Sequence, residues 1–466
     1  MPLLGEGELA MGKNSGRSSS PLKMSWEKLL SKDRLRPLDP ADQPNDARSA
    51  FVVDQDIIIN SQPFRRLQDK TQVHPLSDND HVRRRLTHSL EVASIGRALG
   101  LASAKLLLDR NPKLEQEGVS PVTFGEILYA ACLAHDIGNP PFGHFGEDAI
   151  RSALQKVIES ELVEPLSPQQ EADLVGWEGN AHGFRVLNTL EKYPGDGGMR
   201  LTTATLATFT KYPWSSLDKR GQTKRKFGYF QPETDAFTQV ARVVGLIGDS
   251  SGGWCRHPLA HLVEAADDIA YSLGDLEDGR ELQLLTINEI RELLGSVRPR
   301  SEVDDTLRSE RRRIEFLRED FVRFAVQDVA ATFVSQHDPL LMGQLKDGLL
   351  PVSRVGKLID TCKELAKKKI FRAPQKAGIE VASFDVIGAL IEKTVTALVK
   401  LKRDRKSARE HRRIIDFTIG RPTEELVARS DFELLLLTAD YIAGMTDSYA
   451  TRTFRHIKGI EFSAGH

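Results

Sequence analysis

Cysteine is scarce: Cys132, Cys255 and Cys362 are the only three in 466 residues. They stand far apart and form no C-x-x-C pair. That excludes a disulfide framework and a thiolate-held zinc site, and it suits a reducing, cytoplasmic location. No run of eighteen apolar residues occurs, so neither a bilayer span nor a membrane partner is expected. Charge of one sign is also missing, because 64 Lys and Arg meet 66 Asp and Glu for a formal net charge of −2. Nothing global attracts nucleic acid, and any anion site must come from local clustering.

Strand-like alternation is rare. The stretch FVVDQDIIIN (51–60) is the best short exception, and it equally begins a helix after Asp54. A small hairpin is allowed around 219–230, where Gly221 and Gly228 punctuate a basic run. Helical periodicity is abundant instead. Apolar residues recur at three- and four-residue spacing over 86–107, 124–138, 258–278 and 431–450. The fold class predicted is all-α, a helical core with a further C-terminal helical region and at most a small β-hairpin.

Breakers at 138–141, 194–198 and 250–253 divide the chain. Residues 1–23 are rich in Gly and Ser without an apolar signal core, and read as a disordered extension or an expression leader. Residues 24–82 form an entry segment, 83–278 the helical core and 279–466 the C-terminal helical region. The charged stretch 291–325 reads as solvated helices.

The chemistry begins at His135-Asp136. A His-Asp pair is weak alone, and a second pair at His337-Asp338, followed by Pro339, reads as a polar surface turn. His135 differs because it extends a buried stripe through Leu128 and Ala131 just before Gly138 ends the helix. Adjacent polar groups aimed into an apolar interior need a partner, and a metal ion would serve. His88 shares a face with Val92 and Ile95; by itself it reads first as a satisfied core histidine. Asp267, Tyr271 and Asp275 share one helical face. Two imidazoles and two carboxylates make a mixed nitrogen and oxygen site suited to Mn²⁺, Mg²⁺, Fe²⁺, Co²⁺, Ni²⁺ or Zn²⁺, and the donors alone do not choose among them; Mn²⁺ or Mg²⁺ is the cofactor expected.

His144 follows nine residues after His135, with Glu147 three residues on. A carboxylate-oriented histidine near a metal is how a general acid or base is poised; the bland alternative is a loop histidine before a helix-starting Glu. Cations bracket these motifs: Arg65, Arg66, Arg83, Arg84, Arg85, Lys211 and Lys226. A charge run is usually a solvated face, but Arg85 lies three residues from His88 and borders the same helix face.

Taken in order, FRRLQDKTQV, RLTHSLEVA, HDIGNPPFGHFGE, EGNA, EAADDIAYSLGDLED and DYIAGMTDSYA closely resemble the deoxyguanosinetriphosphate triphosphohydrolase family of HD-domain proteins. The likeness runs from about Met24 to about Phe454. It implies an HD-domain helical core with His88, His135, Asp136 and Asp267 as metal ligands. It implies cleavage of dGTP or other dNTPs between the α-phosphorus and the 5′ oxygen, giving deoxynucleoside and inorganic triphosphate. His144 and Glu147 fall on the catalytic positions. Gln72, Tyr271 and Asp275 fall on positions facing the deoxyribose, and packing near Gln72, Val73 and Tyr271 would exclude a 2′ hydroxyl. Arg85 matches a phosphate contact; Asn180, Lys211, Tyr212 and Lys226 are the remaining substrate positions. A homo-oligomer, tetramer or hexamer, is also implied. One departure is His182, which replaces an amide expected to border the substrate.

Two other readings compete. Another HD nucleotidase or phosphodiesterase would share the metal site. A non-enzymatic, nucleic-acid-binding helical protein would use the basic stretch 400–406 with Arg412 and Arg413; single-stranded DNA binding, known among the relatives, could also be a second activity.

Overall fold

The computed structural model describes residues 22–40, 47–72, 81–295, 309–370, 374–404 and 409–460. Val73 and residues 1–21 of the anticipated extension therefore lie outside the described residues. Helices dominate as the periodicity predicts. The principal ones are α1 (Ala50–Ile59), α2 (Arg85–Arg110), α3 (Pro121–Ala134), α4 (His144–Glu159), α5 (Gly179–Arg185), α6 (Thr203–Phe209), α7 (Ala260–Glu281), α8 (Glu310–Ser335), α9 (Pro374–Arg403), α10 (Asp431–Ala443) and α11 (Asp447–Ile457). Among the described residues there is no β-strand, only isolated bridges such as Thr71 with Arg84. No helix among them is long and apolar enough to cross a membrane.

Two local expectations are corrected, and one open alternative falls to the helix. The 51–60 stretch forms no strand; residues 51–59 lie in α1, which starts ahead of Asp54 rather than after it. The Ser49 hydroxyl accepts from the Val52 amide at 3.1 Å and caps that helix. Its buried Asp54 is held by Arg34 at 2.5 Å and by Thr202, which fixes α1 against the core. The hairpin at 219–230 is replaced by a short helix, Lys219–Lys224, because the Asp218 carboxylate accepts from the Arg220 amide at 2.8 Å. His337-Asp338 is likewise no free turn. His337 begins a short helix and accepts from the Trp26 indole at 3.0 Å, while Asp338 pairs with Lys23 at 2.9 Å. It stays outside the candidate site.

Helices α2 and α3 pack along their lengths, and glycine makes this possible. A β-carbon at Gly100 would lie 2.8 Å from the Phe124 backbone, and one at Gly96 would lie 2.5 Å from Cys132 Sγ. The close approach brings His88 on α2 beside His135 at the end of α3. Helix α7 packs on both, and α8 covers the outer side of α2. This body shares one large apolar core, including Val92, Leu99, Phe124, Leu128 and Ile269. A second core joins α4 to α9, α10 and α11 through Ile150, Leu154, Leu390, Leu435 and Ala450. The loop 135–143 connects the two. In the basic C-terminal stretch, Lys402 pairs with Asp431 at 2.6 Å and Arg403 donates to the Leu162 carbonyl at 2.6 Å, so two of its cations have internal partners.

Candidate active site and metal centre

Helix α3 starts at a Ser120 cap followed by Pro121 and ends at His135. The His135 ring is fixed by its own helix: Nδ1 donates to the Cys132 carbonyl oxygen at 2.7 Å. This leaves Nε2 with its lone pair, buried and without a hydrogen-bond partner among the described residues. Around it stand Asp136 Oδ1 and Asp267 Oδ1, each at 3.6 Å. His88 Nε2, 1% exposed, lies 3.0 Å from the same Asp267 oxygen. His88, His135 and Asp136 each offer a ligand atom within 4.8 Å of the others. Ligands at adjacent octahedral positions, about 2.1 Å from an ion, are about 3.0 Å apart. An orphaned buried imidazole nitrogen among such spacings is a donor set that fits a divalent cation.

The charges agree. Burial works against ionising Asp136, but Arg85, His135 and His88 outweigh it and hold its carboxyl below the usual range. Burial likewise opposes the Asp267 carboxylate, and His135 and His88 outweigh it and hold it below the usual range. Arg85 Nη1 donates to Asp136 Oδ2 at 2.8 Å, and Asn139 donates to Oδ1 at 2.5 Å, so both oxygens are oriented.

His144 opens α4 after Gly143, and its Nδ1 lies 3.3 Å from Glu147 Oε2. The two side chains contrast sharply: His144 is 82% exposed and Glu147 4%. Glu147 accepts from the Gly179 amide at 3.0 Å and neighbours Arg151 and Lys226. Burial opposes its charge, yet His144, Lys226 and Arg151 keep it well below the usual carboxylate range.

Both groups line one cavity of about 580 Å³, within the size of ordinary small-molecule sites. Of the sequence-predicted residues, Gln72, Arg85, His135, Asp136, His144, Glu147, Asn180, Lys211, Tyr212, Lys226, Asp267 and Tyr271 line it.

The HD domain family model matches residues 85–193, the span that holds His88, His135-Asp136, His144 and Glu147. Over 448 residues the chain is 41% identical to a deoxyguanosinetriphosphate triphosphohydrolase-like protein of Pseudomonas aeruginosa, covering 94% of this chain and 99% of the relative. A protein of the same description from Synechocystis sp. is 38% identical over 450 residues, 94% of this chain and 100% of the relative. The chain belongs to the deoxyguanosinetriphosphate triphosphohydrolase-like family. A deoxyguanosinetriphosphate triphosphohydrolase of Salmonella paratyphi A is 28% identical over 485 residues, 88% of this chain and 94% of the relative.

In this family member two predicted positions stand apart from the cavity wall. His88 is buried behind the Asp267 carboxylate. Asp275 is buried one turn beyond Tyr271 on α7. Val73 is outside the described residues. The expectation for His182 is corrected. It does not border the cavity; it is 2% exposed and its Nδ1 donates to the Gly138 carbonyl at 2.9 Å. Burial pushes its imidazole down to about 4. Arg83 is not part of the cavity wall either; Glu91, Glu277 and Asp278 enclose it. Asp268, next to Asp267 on α7, pairs with Lys363 at 2.7 Å.

Sequence reasoning missed several wall residues, among them Thr71, Asn139, Phe142, Phe209 and Glu264. Glu264 holds Lys211 at 3.2 Å and Arg256 at 2.8 Å, and Glu178 holds Lys226. The cations are thus anchored by acids distant in sequence. Only Glu264, three residues before Asp267 and nearly on the same helical face, carried a signal.

Proposed function

We propose that this chain is a metal-dependent deoxynucleoside triphosphate triphosphohydrolase, with dGTP as its first candidate substrate. One observation carries the reading: a donor set for a cation, the His144–Glu147 pair and the anchored cations Arg85, Lys211 and Lys226 share a single cavity. His88, His135, Asp136 and Asp267 would hold the ion, with Mn²⁺ or Mg²⁺ the first choices. When bound, that ion supplies charge neutralisation at the phosphates and polarisation of phosphorus.

The side chains do the rest. Arg85, Lys211 and Lys226 bind phosphate oxygens, and Arg85 does so while tied to Asp136. Glu147 orients His144 through Nδ1, leaving Nε2 to carry a proton to the departing 5′ oxygen. Gln72 and Tyr271 pack against the deoxyribose, where they would leave no room for a 2′ hydroxyl. His182 lies away from the wall and so gives no reason to doubt dGTP as substrate.

The test is a screen of the four dNTPs, singly and mixed, with Mn²⁺ and with Mg²⁺, and with GTP as control. Inorganic triphosphate and deoxynucleoside in equal amounts are expected. Orthophosphate, pyrophosphate or a monophosphate as the primary product would replace this reading with another HD phosphohydrolase activity. Light scattering on the same samples would read the subunit number of the homo-oligomer that the family resemblance implies.

A further inference from the structure

The motif DYIAGMTDSYA has no part in the chemistry above, yet its turn reaches the catalytic loop. Asp447, 1% exposed, begins α11. Its Oδ1 accepts from the Phe142 amide at 2.9 Å. Its Oδ2 accepts from the Thr71 amide at 3.0 Å and from the Thr71 hydroxyl. Lys70, 3% exposed, donates from Nζ to the Asn139 carbonyl at 2.6 Å and to the Ala443 carbonyl at 2.7 Å. Arg66 donates to the next carbonyl, Gly444, at 2.9 Å. The entry segment and the α10–α11 turn thus grip the same loop from two sides.

That loop is the covalent link between the metal cluster and His144. Its backbone takes a sparsely populated conformation. Phe142 has φ 63° and Gly143 has φ 61°, and a non-glycine residue rarely adopts the first. A β-carbon at Gly143 would lie 2.8 Å from Arg85 Nη2. A small shift of the loop would therefore move His144 relative to both Asp136 and Arg85. Burying a lysine and an aspartate is costly, and apolar packing would hold two helices together more cheaply. What the two charged groups provide is direction toward individual peptide groups of one loop.

We propose that Asp447 and Lys70 are positioning residues that fix the 139–143 loop and, through it, the placement of His144 against the metal cluster. The kinetic part of the test rests on the triphosphohydrolase reading; the exchange part does not. Asp447→Asn keeps the size of the side chain but cannot accept from both Phe142 and Thr71. Thr71→Val removes a single hydroxyl. Turnover of dGTP is measured per Mn²⁺-loaded chain, together with KM and Mn²⁺ affinity, and amide exchange is followed across the chain.

Asp447→Asn should lower turnover by at least about tenfold and Thr71→Val by about threefold, with KM and Mn²⁺ affinity nearly unchanged. Amide exchange over 138–147 and at Thr71 should accelerate by about tenfold in Asp447→Asn, with the remaining segments unaltered. Wild-type turnover in both variants, or loop exchange unchanged in both, overturns the assignment. So does a loss of Mn²⁺ binding that parallels the loss of turnover. If Asp447→Asn does not fold, Thr71→Val decides by the same measurements. If the wild type releases triphosphate from no dNTP, the proposed activity falls, and the exchange measurement alone decides on the clamp.

Discussion

The Nδ1 of His135 sits 2.7 Å from the carbonyl oxygen of Cys132, one turn back on the same helix. That bond fixes the tautomer and aims a bare Nε2 at the carboxylates of Asp136 and Asp267. His135→Ala should therefore weaken Mn²⁺ binding by at least about a hundredfold while the helical content stays intact. Free Mn²⁺ followed by electron paramagnetic resonance measures it. Wild-type affinity would take His135 out of the ligand set.

His144→Ala leaves the cation site and the anchored cations untouched. Turnover should fall by about a hundredfold or more, with Mn²⁺ and nucleotide still bound. Calorimetric titration beside triphosphate release separates the two effects. Near-normal turnover would assign the proton transfer elsewhere.

Lys226 lies between two buried acids, 3.4 Å from Glu147 and bonded to Glu178. Lys226→Met would leave Glu178, fully enclosed, without its cation at a cost of about 3 kcal/mol. Burial already raises the Glu178 carboxyl, and Lys226 opposes that rise. In the variant the folded state would bind this proton more readily than the unfolded state, so its stability deficit should shrink as the pH falls from 8 to 5. Denaturant unfolding of both proteins at the two pH values tests this. An equal deficit at both would mean that the Glu178 charge is not what Lys226 offsets.

Acid stability is set in part by two histidines at the start of α7. Burial holds His257 at about 4, and burial with the Arg256 charge holds His261 at about 3. Both are neutral in the folded chain, whereas the unfolded chain takes up their protons near 6.5. They make no demand on stability above that pH. Below it stability falls until the folded values are reached, by roughly 1.4 kcal/mol per pH unit for each histidine. His261 Nδ1 has no hydrogen-bond partner among the described residues, so His261→Leu should flatten the decline between pH 6.5 and 4. Parallel unfolding curves for variant and wild type across that range would refute it.

The helices and the convergence of His88, His135, Asp136 and Asp267 were legible because buried polar residues on apolar helix faces stand out from their surroundings. Arg85 was legible for its place three residues from His88. The hairpin failed because a local cap at Asp218 outweighed the glycine punctuation. The misplacement of His182 has a different origin. Its partner is the Gly138 carbonyl, and nothing in the residue itself reveals which backbone group it meets. The anchoring of Lys226 by Glu178 and of Phe142 by Asp447 joins positions far apart in the chain, and a single sequence holds no record of such pairings.

Under the proposed proton transfer, the contrast between an open His144 and an enclosed Glu147 would also bear on the tempo of repeated reaction cycles. A ring standing in the solvent would exchange protons directly with water or buffer. Recharging would then need no relay of groups through the interior.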